Sequence, residues 1–332
     1  MRNLMFLIAS IILISCGPAP EESDADSGEC GLIGASDVPG TRCYEPPAAL
    51  PAINTGDLPG FFDCVRESGG LLIAAHRAGP APGYPENALE TLQYGFDRGI
   101  RVFEVDVATS RDGGVFLLHD RSLGRTTTAS GQVADTDWAE ISSARLVDNN
   151  GKVTNFHPPT LTSALTWAVD TGAVLEIDKK ETTGWRSIIQ SVRAARAQSN
   201  VLLITYSDED AGQVQRIDAD IMLTASVRGS RDLGKLEDLG VTPKMVVGWT
   251  GTREPDPAAW ARNAAEGVES AFGTLGRRGE RLDDEYWADG NPSEYRDMVR
   301  DGLVLLATDE PYRVAAALTE DDRALNACAT GR

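Results

Sequence analysis

Residues 71–77 read Leu71-Leu72-Ile73-Ala74-Ala75-His76-Arg77, an unbroken apolar run that stops on an imidazole and a guanidinium. A strand without polar alternation is buried on both faces, the mark of a parallel sheet covered by helices. A doubly wound dinucleotide-binding sheet would follow its first strand with Gly-x-Gly-x-x-Gly; His76-Arg77 stands there instead. Val201-Leu202-Leu203-Ile204 repeats the apolar continuity, and further strand-like runs fall at 102–107, 115–118, 173–178, 220–224, 244–248, 268–274 and 303–307. Helical patterns at 87–98, 161–171, 188–198, 257–266 and 294–300 fill the gaps. Such alternation over about 250 residues fits a (β/α)8 (TIM) barrel, with an open doubly wound sheet as the other α/β arrangement. Nine runs for eight places make one of those between 220 and 275 peripheral. Between Asp112 and Val115 only Gly113-Gly114 intervenes, too little for a crossover helix, and 120–172 is a long insertion whose first part is expected as loop over the barrel mouth.

The chain of 332 residues is 42% hydrophobic and 24% charged, the balance of a soluble globular protein. Its formal charge of −19 gives no basic footprint for nucleic acid or anionic lipid. At the N-terminus, Arg2 precedes an apolar run over 4–14 that is too short to span a bilayer and reads as a signal peptide. It ends Leu13-Ile14-Ser15-Cys16-Gly17, which resembles the lipobox of bacterial lipoproteins. The expected organisation is a signal peptide at 1–15, a lipidated Cys16 with a flexible linker over 16–65, a barrel at 66–320 and a tail at 321–332. That places the protein in a bacterial cell envelope, lipid-anchored at the outer membrane and facing the periplasm, touching membrane only through the anchor. Cys30, Cys43, Cys64 and Cys328 remain, an even number in an exported chain. Of three pairings, Cys30–Cys43 with Cys64–Cys328 is preferred.

In a parallel barrel the site is built at the C-terminal ends of the strands. The first run delivers His76-Arg77. The second carries Glu104 and Asp106, an i, i+2 pair on one side of a strand roughly 6–7 Å apart. The third ends on His119-Asp120, and the fourth places Glu176, Asp178 and Lys180 on one side. Taken singly, a strand-end histidine reads as a hydrogen-bonded rim residue and a buried carboxylate as a partner of arginine or lysine. Together they ask for more: unpaired carboxylates inside Val102-Phe103-Glu104-Val105-Asp106-Val107 cost several kcal/mol each. A hard divalent cation with oxygen ligands offsets that cost.

These residues resemble the glycerophosphodiester phosphodiesterase family. His76-Arg77-Ala78-Gly79 followed by Pro85-Glu86-Asn87 looks like its His-Arg-Gly and Pro-Glu-Asn segments, and Glu104-Val105-Asp106-Val107 like its Glu-x-Asp-Val strand. Asp112-Gly113-Gly114-Val115, His119-Asp120, Arg125-Thr126-Thr127, Pro159-Thr160-Leu161 and Thr308-Asp309-Glu310-Pro311 follow in the family's order. The resemblance implies a distorted (β/α)8 barrel, with His76 and His119 as general acid and base. It implies Glu104, Asp106 and Asp178 as ligands of Mg2+ or Ca2+, with Glu86 and Glu176 as further candidates. Arg77 and Lys180 would neutralise phosphate charge, and Phe272 would pack against the glycerol or serve as ordinary barrel packing. The chain departs from the family with Ala78 inside His-Arg-Gly and Ala88 after Pro-Glu-Asn, both at the mouth. His157 reads as structural, Trp167 as core, and Trp249 as packing or mouth lining.

The implied reaction is hydrolysis of a small-molecule glycerophosphodiester to an alcohol and glycerol 3-phosphate. The competing readings are a phospholipase D-like or phosphoinositide-type lyase on lipid and a non-catalytic phosphodiester-binding lipoprotein. Mostly polar loops at 148–155 and 277–291 favour soluble head-group diesters over lipid. Nothing in the sequence points to a protein partner.

Overall fold

The structure, a computed structural model, describes residues 55–329. Its strands are β1 (Leu72–Ala75), β2 (Val102–Thr109), β3 (Val115–Leu117), β4 (Val174–Lys179) and β5 (Val201–Ile204). They continue as β6 (Met222–Ser226), β7 (Val246–Trp249), β8 (Glu269–Gly273) and β9 (Leu305–Thr308). Eight strands run parallel in the order β1-β2-β4-β5-β6-β7-β8-β9, and β9 pairs back onto β1 to close the barrel.

The peripheral strand is not one of the runs at 220–275. It is β3, which lies antiparallel to the upper half of β2, Val107 opposite Leu117 and Thr109 opposite Val115. The cause is a mismatch of length. β2 has eight residues, whereas the four-residue β1 pairs only with Val102 and Phe103 before the chain turns away. The upper edge of β2 would stand with unpaired amides and carbonyls, and the Gly113-Gly114 turn folds β3 back onto it.

Side chains alternate across each strand. The inward set fills the lower barrel with Leu72, Ala74, Val102, Val174, Leu202, Met222, Val247, Ala271 and Leu305. The outward set, with Ile73, Phe103, Leu175, Leu203 and Leu306, packs beneath the helices. Part of the stretch expected as linker belongs to this architecture. Helix Leu58–Glu67 buries Leu58, Phe61, Phe62 and Val65 in the floor cluster, an i, i+3, i+4, i+7 stripe, and Asp57 caps it by accepting from Gly60 N at 3.1 Å. The short helix Leu325–Cys328, in the stretch expected as tail, packs on the same floor, and a disulfide joins Cys328 to Cys64. Cys16, Cys30 and Cys43 lie outside the described residues.

The insertion after β3 is more than loop. Leu123, Val133, Ile141 and Trp138 pack with Phe116 and Leu118 into a small core of their own. Among the described residues no helix is long and apolar enough to cross a membrane.

Candidate active site

Above the apolar floor the inward positions turn polar. Continuing each strand by twos from its floor residue leads to His76, Glu104 and Asp106, Glu176 and Asp178, Tyr206, Trp249, Leu275 and Asp309. Three carboxylates meet there: Glu104, Asp106 and Asp178 offer oxygens within 4.8 Å of one another. Register explains the meeting, because β2 and β4 pair Glu104 with Glu176 and Asp106 with Asp178 side by side.

Each carboxylate is held by its neighbours. After β1 the chain passes through Arg77, Ala78 and Gly79 at φ of 51°, 70° and 73°, and this left-handed turn aims the Arg77 amide at Glu104 Oε2, 2.6 Å away. Asn87, itself at φ 58°, brackets Asp106: its Nδ2 donates to Oδ2 at 2.7 Å and its Oδ1 accepts the Asp106 amide at 2.9 Å. Lys180 Nζ lies 2.5 Å from Asp106 Oδ1 and 2.6 Å from Asp178 Oδ2.

Burial, and next the Asp106 charge, push the Glu104 carboxyl well above the ordinary glutamate range. Burial alone would raise Asp106 as well, but Lys180 and His119 outweigh it and hold Asp106 low. Glu176 lies beside Glu104, one layer below Asp178, where burial and the Asp178 charge push it up to about 7. The donor set suits a hard divalent cation: the oxygens converge, and Asp178 Oδ1 is buried without a hydrogen-bond partner. Glu86 is otherwise engaged. Arg125 binds it through two nitrogens at 2.8 and 2.7 Å, and Arg77 stands 3.3 Å away.

The two histidines stand in parallel settings. His76 Nδ1 lies 2.6 Å from Asp309 Oδ1, and His119 Nδ1 lies 2.7 Å from Asp120 Oδ1. Arg125, bridging Asp120 and Glu86, holds the Asp120 carboxyl well below its usual range. Asp309 is also held low, against its burial, by His76, the Gly276 amide and Arg281. His76 faces a recess of about 380 Å³ walled in part by Glu176, Tyr206, Trp249 and Leu275. His119 faces another of about 420 Å³ with Arg121, Ser122, Gln132, Lys180 and Thr182.

Phe272 does not reach the mouth. It occupies an outward position of β8, is fully buried, and packs edge-on against Trp260 of helix Pro257–Ala265 with ring centroids 6.0 Å apart. The apolar wall is supplied instead by Trp249, whose ring lies over Gly273, where a Cβ would come within 2.9 Å of it. Trp167 packs edge-on against Phe96 and Phe103, and His157 Nδ1 sits 3.1 Å from the Ser142 carbonyl in the insertion. Sequence reasoning gave no role to Asn87, Arg125, Asp120 or Asp309, although each lies in a quoted motif.

Residues 76–227 match the family model of the glycerophosphoryl diester phosphodiesterase family. Over 184 residues the chain is 27% identical to the Bacillus subtilis protein YqiK, covering 52% of this chain and 75% of that one. Over 168 residues it is 29% identical to probable glycerophosphodiester phosphodiesterase 2 of Mycobacterium tuberculosis, covering 51% of this chain and 59% of that one. Among solved structures, a glycerophosphoryl diester phosphodiesterase from Parabacteroides distasonis superposes with a TM-score of 0.69 at 26% identity, covering 81% of this chain and 93% of that one. An Oleispira antarctica phosphodiesterase, solved with its product sn-glycerol-3-phosphate, shares the fold with a TM-score of 0.56 at 20% identity, covering 76% and 98% of the two chains. Motif order, barrel and relatives agree in likening residues 76–227, and the barrel built around them, to the glycerophosphoryl diester phosphodiesterase family.

Proposed function

We propose that this chain hydrolyses soluble glycerophosphodiesters to an alcohol and glycerol 3-phosphate, using a divalent cation and two histidines. The observation that carries the reading is the pairing of each histidine with an aspartate at Nδ1, on strand ends that meet at the Glu104, Asp106 and Asp178 cluster. An aspartate at Nδ1 fixes the ring and leaves Nε2 for proton transfer. One imidazole takes the proton of the attacking oxygen through Nε2; the other delivers a proton to the departing alkoxide. Lys180 and Arg77 face the charge that grows on the phosphoryl oxygens. A bound cation would be held by Glu104, Asp106 and Asp178 and would supply Lewis-acid polarisation of the phosphate. The recess beside His76, with Trp249 and Leu275 on its wall, offers an apolar surface to the carbon skeleton of one alcohol moiety. The product complex of the Oleispira antarctica relative supports glycerol 3-phosphate as the product.

We further propose that the protein is exported and lipidated on Cys16, which would tether the barrel within the cell envelope. The support is the apolar run over 4–14 and its Leu-Ile-Ser-Cys ending.

The test is incubation of the protein with glycerophosphocholine, with and without chelator, beside His119→Ala. Turnover should fall at least about a hundredfold in both controls. Binding of Mg2+ or Ca2+ with no turnover across a panel of glycerophosphodiesters would favour a binding protein instead. Fatty-acid labelling that survives Cys16→Ala would remove the lipidation proposal.

A further inference from the structure

The segment between β8 and β9 contains a buried carboxylate that the reaction itself does not touch. Asp283, on the short helix Leu282–Tyr286, is 1% exposed. Three donors converge on it: the Tyr295 hydroxyl at 2.6 Å, the Thr308 hydroxyl at 2.9 Å and the backbone amide of Asp309 at 2.9 Å. Burial and the neighbouring Asp283 push the Tyr295 hydroxyl up, so it stays a donor. The Asp283 amide in turn donates to the Thr274 carbonyl at 3.0 Å, fixing the carboxylate to the end of β8.

A carboxylate withdrawn from water is costly unless its accepted bonds replace hydration, and an apolar side chain would fill the same space at less cost. What an apolar side chain could not do is grip the peptide that carries Asp309. Thr308 Oγ1, held by Asp283, itself accepts the Glu310 amide at 3.0 Å, so Thr308 at the end of β9 and the two residues after it form one pinned turn. From above, Arg281 reaches Asp309 Oδ2 at 2.9 Å, and the Gly276 amide reaches the same oxygen at 3.0 Å. Asp309 Oδ1 is left to His76.

We propose that Asp283 is a positioning residue for the reaction: through Thr308 and the Asp309 amide it holds the Asp309 carboxylate where that group orients the His76 ring. This rests on the reading above that His76 transfers a proton. Asp283 lies outside residues 76–227, the stretch matched to the family model.

A merely structural Asp283 would lower stability and leave the chemistry alone, and the experiment separates the two. Asp283→Asn should lower kcat roughly tenfold with KM within about twofold. In an Asp309→Asn background the same substitution should change kcat by less than about twofold, because residues acting through one another are not additive. Tyr295→Phe removes a donor from the same carboxylate without touching Asp309; it should lower the melting temperature and spare kcat. The imidazole nitrogen NMR signals provide a readout besides activity, as the chain has only three histidines. Those of His76 should shift in Asp283→Asn while those of His119 and His157 stay. Unchanged His76 signals, or an equal loss of kcat in the presence and absence of Asp309, would overturn the proposal. If the wild type hydrolyses no glycerophosphodiester, the functional reading fails and the NMR result alone decides the role of Asp283.

Discussion

His76 stands between two carboxylates, with Nδ1 2.6 Å from Asp309 Oδ1 and Nε2 3.9 Å from Glu104 Oε2. The ring is therefore oriented from one side and faces the acidic cluster with the other. In Asp309→Asn the amide can hold the ring but no longer selects the tautomer. We expect kcat to fall about 10²–10⁴-fold, with KM changing less than about threefold. Steady-state kinetics on a glycerophosphodiester checks this, and a change confined to KM would place Asp309 in substrate binding.

Glu86 looks like a ligand in sequence, but in the structure Arg125 and Arg77 engage it. Its charge reaches the chemistry through Arg125, Asp120 and His119. Glu86→Gln should lower kcat roughly three- to tenfold through that chain and leave cation affinity within about threefold. Isothermal titration with Mg2+ or Ca2+ is the check. A loss of 10–100-fold in affinity would mark Glu86 as part of the metal centre.

Glu269 lies near the barrel floor, 3.0 Å from Arg66, and burial pushes its carboxyl up to about 7 against the pull of that arginine. A carboxyl with a raised folded-state pKa keeps its proton in the native protein while the unfolded chain gives it up. Its contribution is therefore full below about pH 4.5 and is lost as pH rises towards 7. Denaturant unfolding of the cation-free protein should show this loss, roughly 1–3 kcal/mol, and Glu269→Gln should make that part of the curve shallower by about this amount, with Glu176, also pushed up to about 7, supplying what remains. An identical pH dependence in the variant would remove Glu269 as its source.

The Cys64–Cys328 disulfide closes a 264-residue separation on the barrel floor, the end opposite the mouth. Cys64→Ser with Cys328→Ser should cost about 2–5 kcal/mol of stability. Turnover at 25 °C should stay within about twofold, since neither cysteine packs against the strand ends. Thermal unfolding with and without reductant measures the first, and a large loss of turnover would mean that the floor and the mouth are coupled.

How far the sequence could be read depended on where polar residues marked the strand faces. On β2 and β4 the acidic residues announce which positions face inward, and Glu104, Asp106 and Asp178 were legible for that reason. The upper part of β8 gives no such marker, so Phe272 could be taken for a mouth residue. Counting by twos from the inward Ala271 passes Gly273 to Leu275 and leaves Phe272 outside. The same count from Leu305 reaches Asp309, but its partner His76 is 233 residues away, and no local pattern joins them. The floor helix was legible in principle from Leu58, Phe61, Phe62 and Val65; the Gly-, Pro- and acid-rich stretch before it hid the stripe. The place of β3 could not be read, because it follows from the unequal lengths of β1 and β2.

The bond between Cys64 and Cys328 also makes residues 64–328 a covalent ring, with the two Cα atoms 5.7 Å apart. A protease that cuts an exposed loop within it, such as 277–280, releases no fragment. Nicked and intact chains then differ in mass by one water until a reductant parts the pieces. By the same topology a circular permutant needs only a short peptide linker beside this bond, because the two Cα atoms it joins are 5.7 Å apart, and new ends can be opened in a surface loop without cutting a strand.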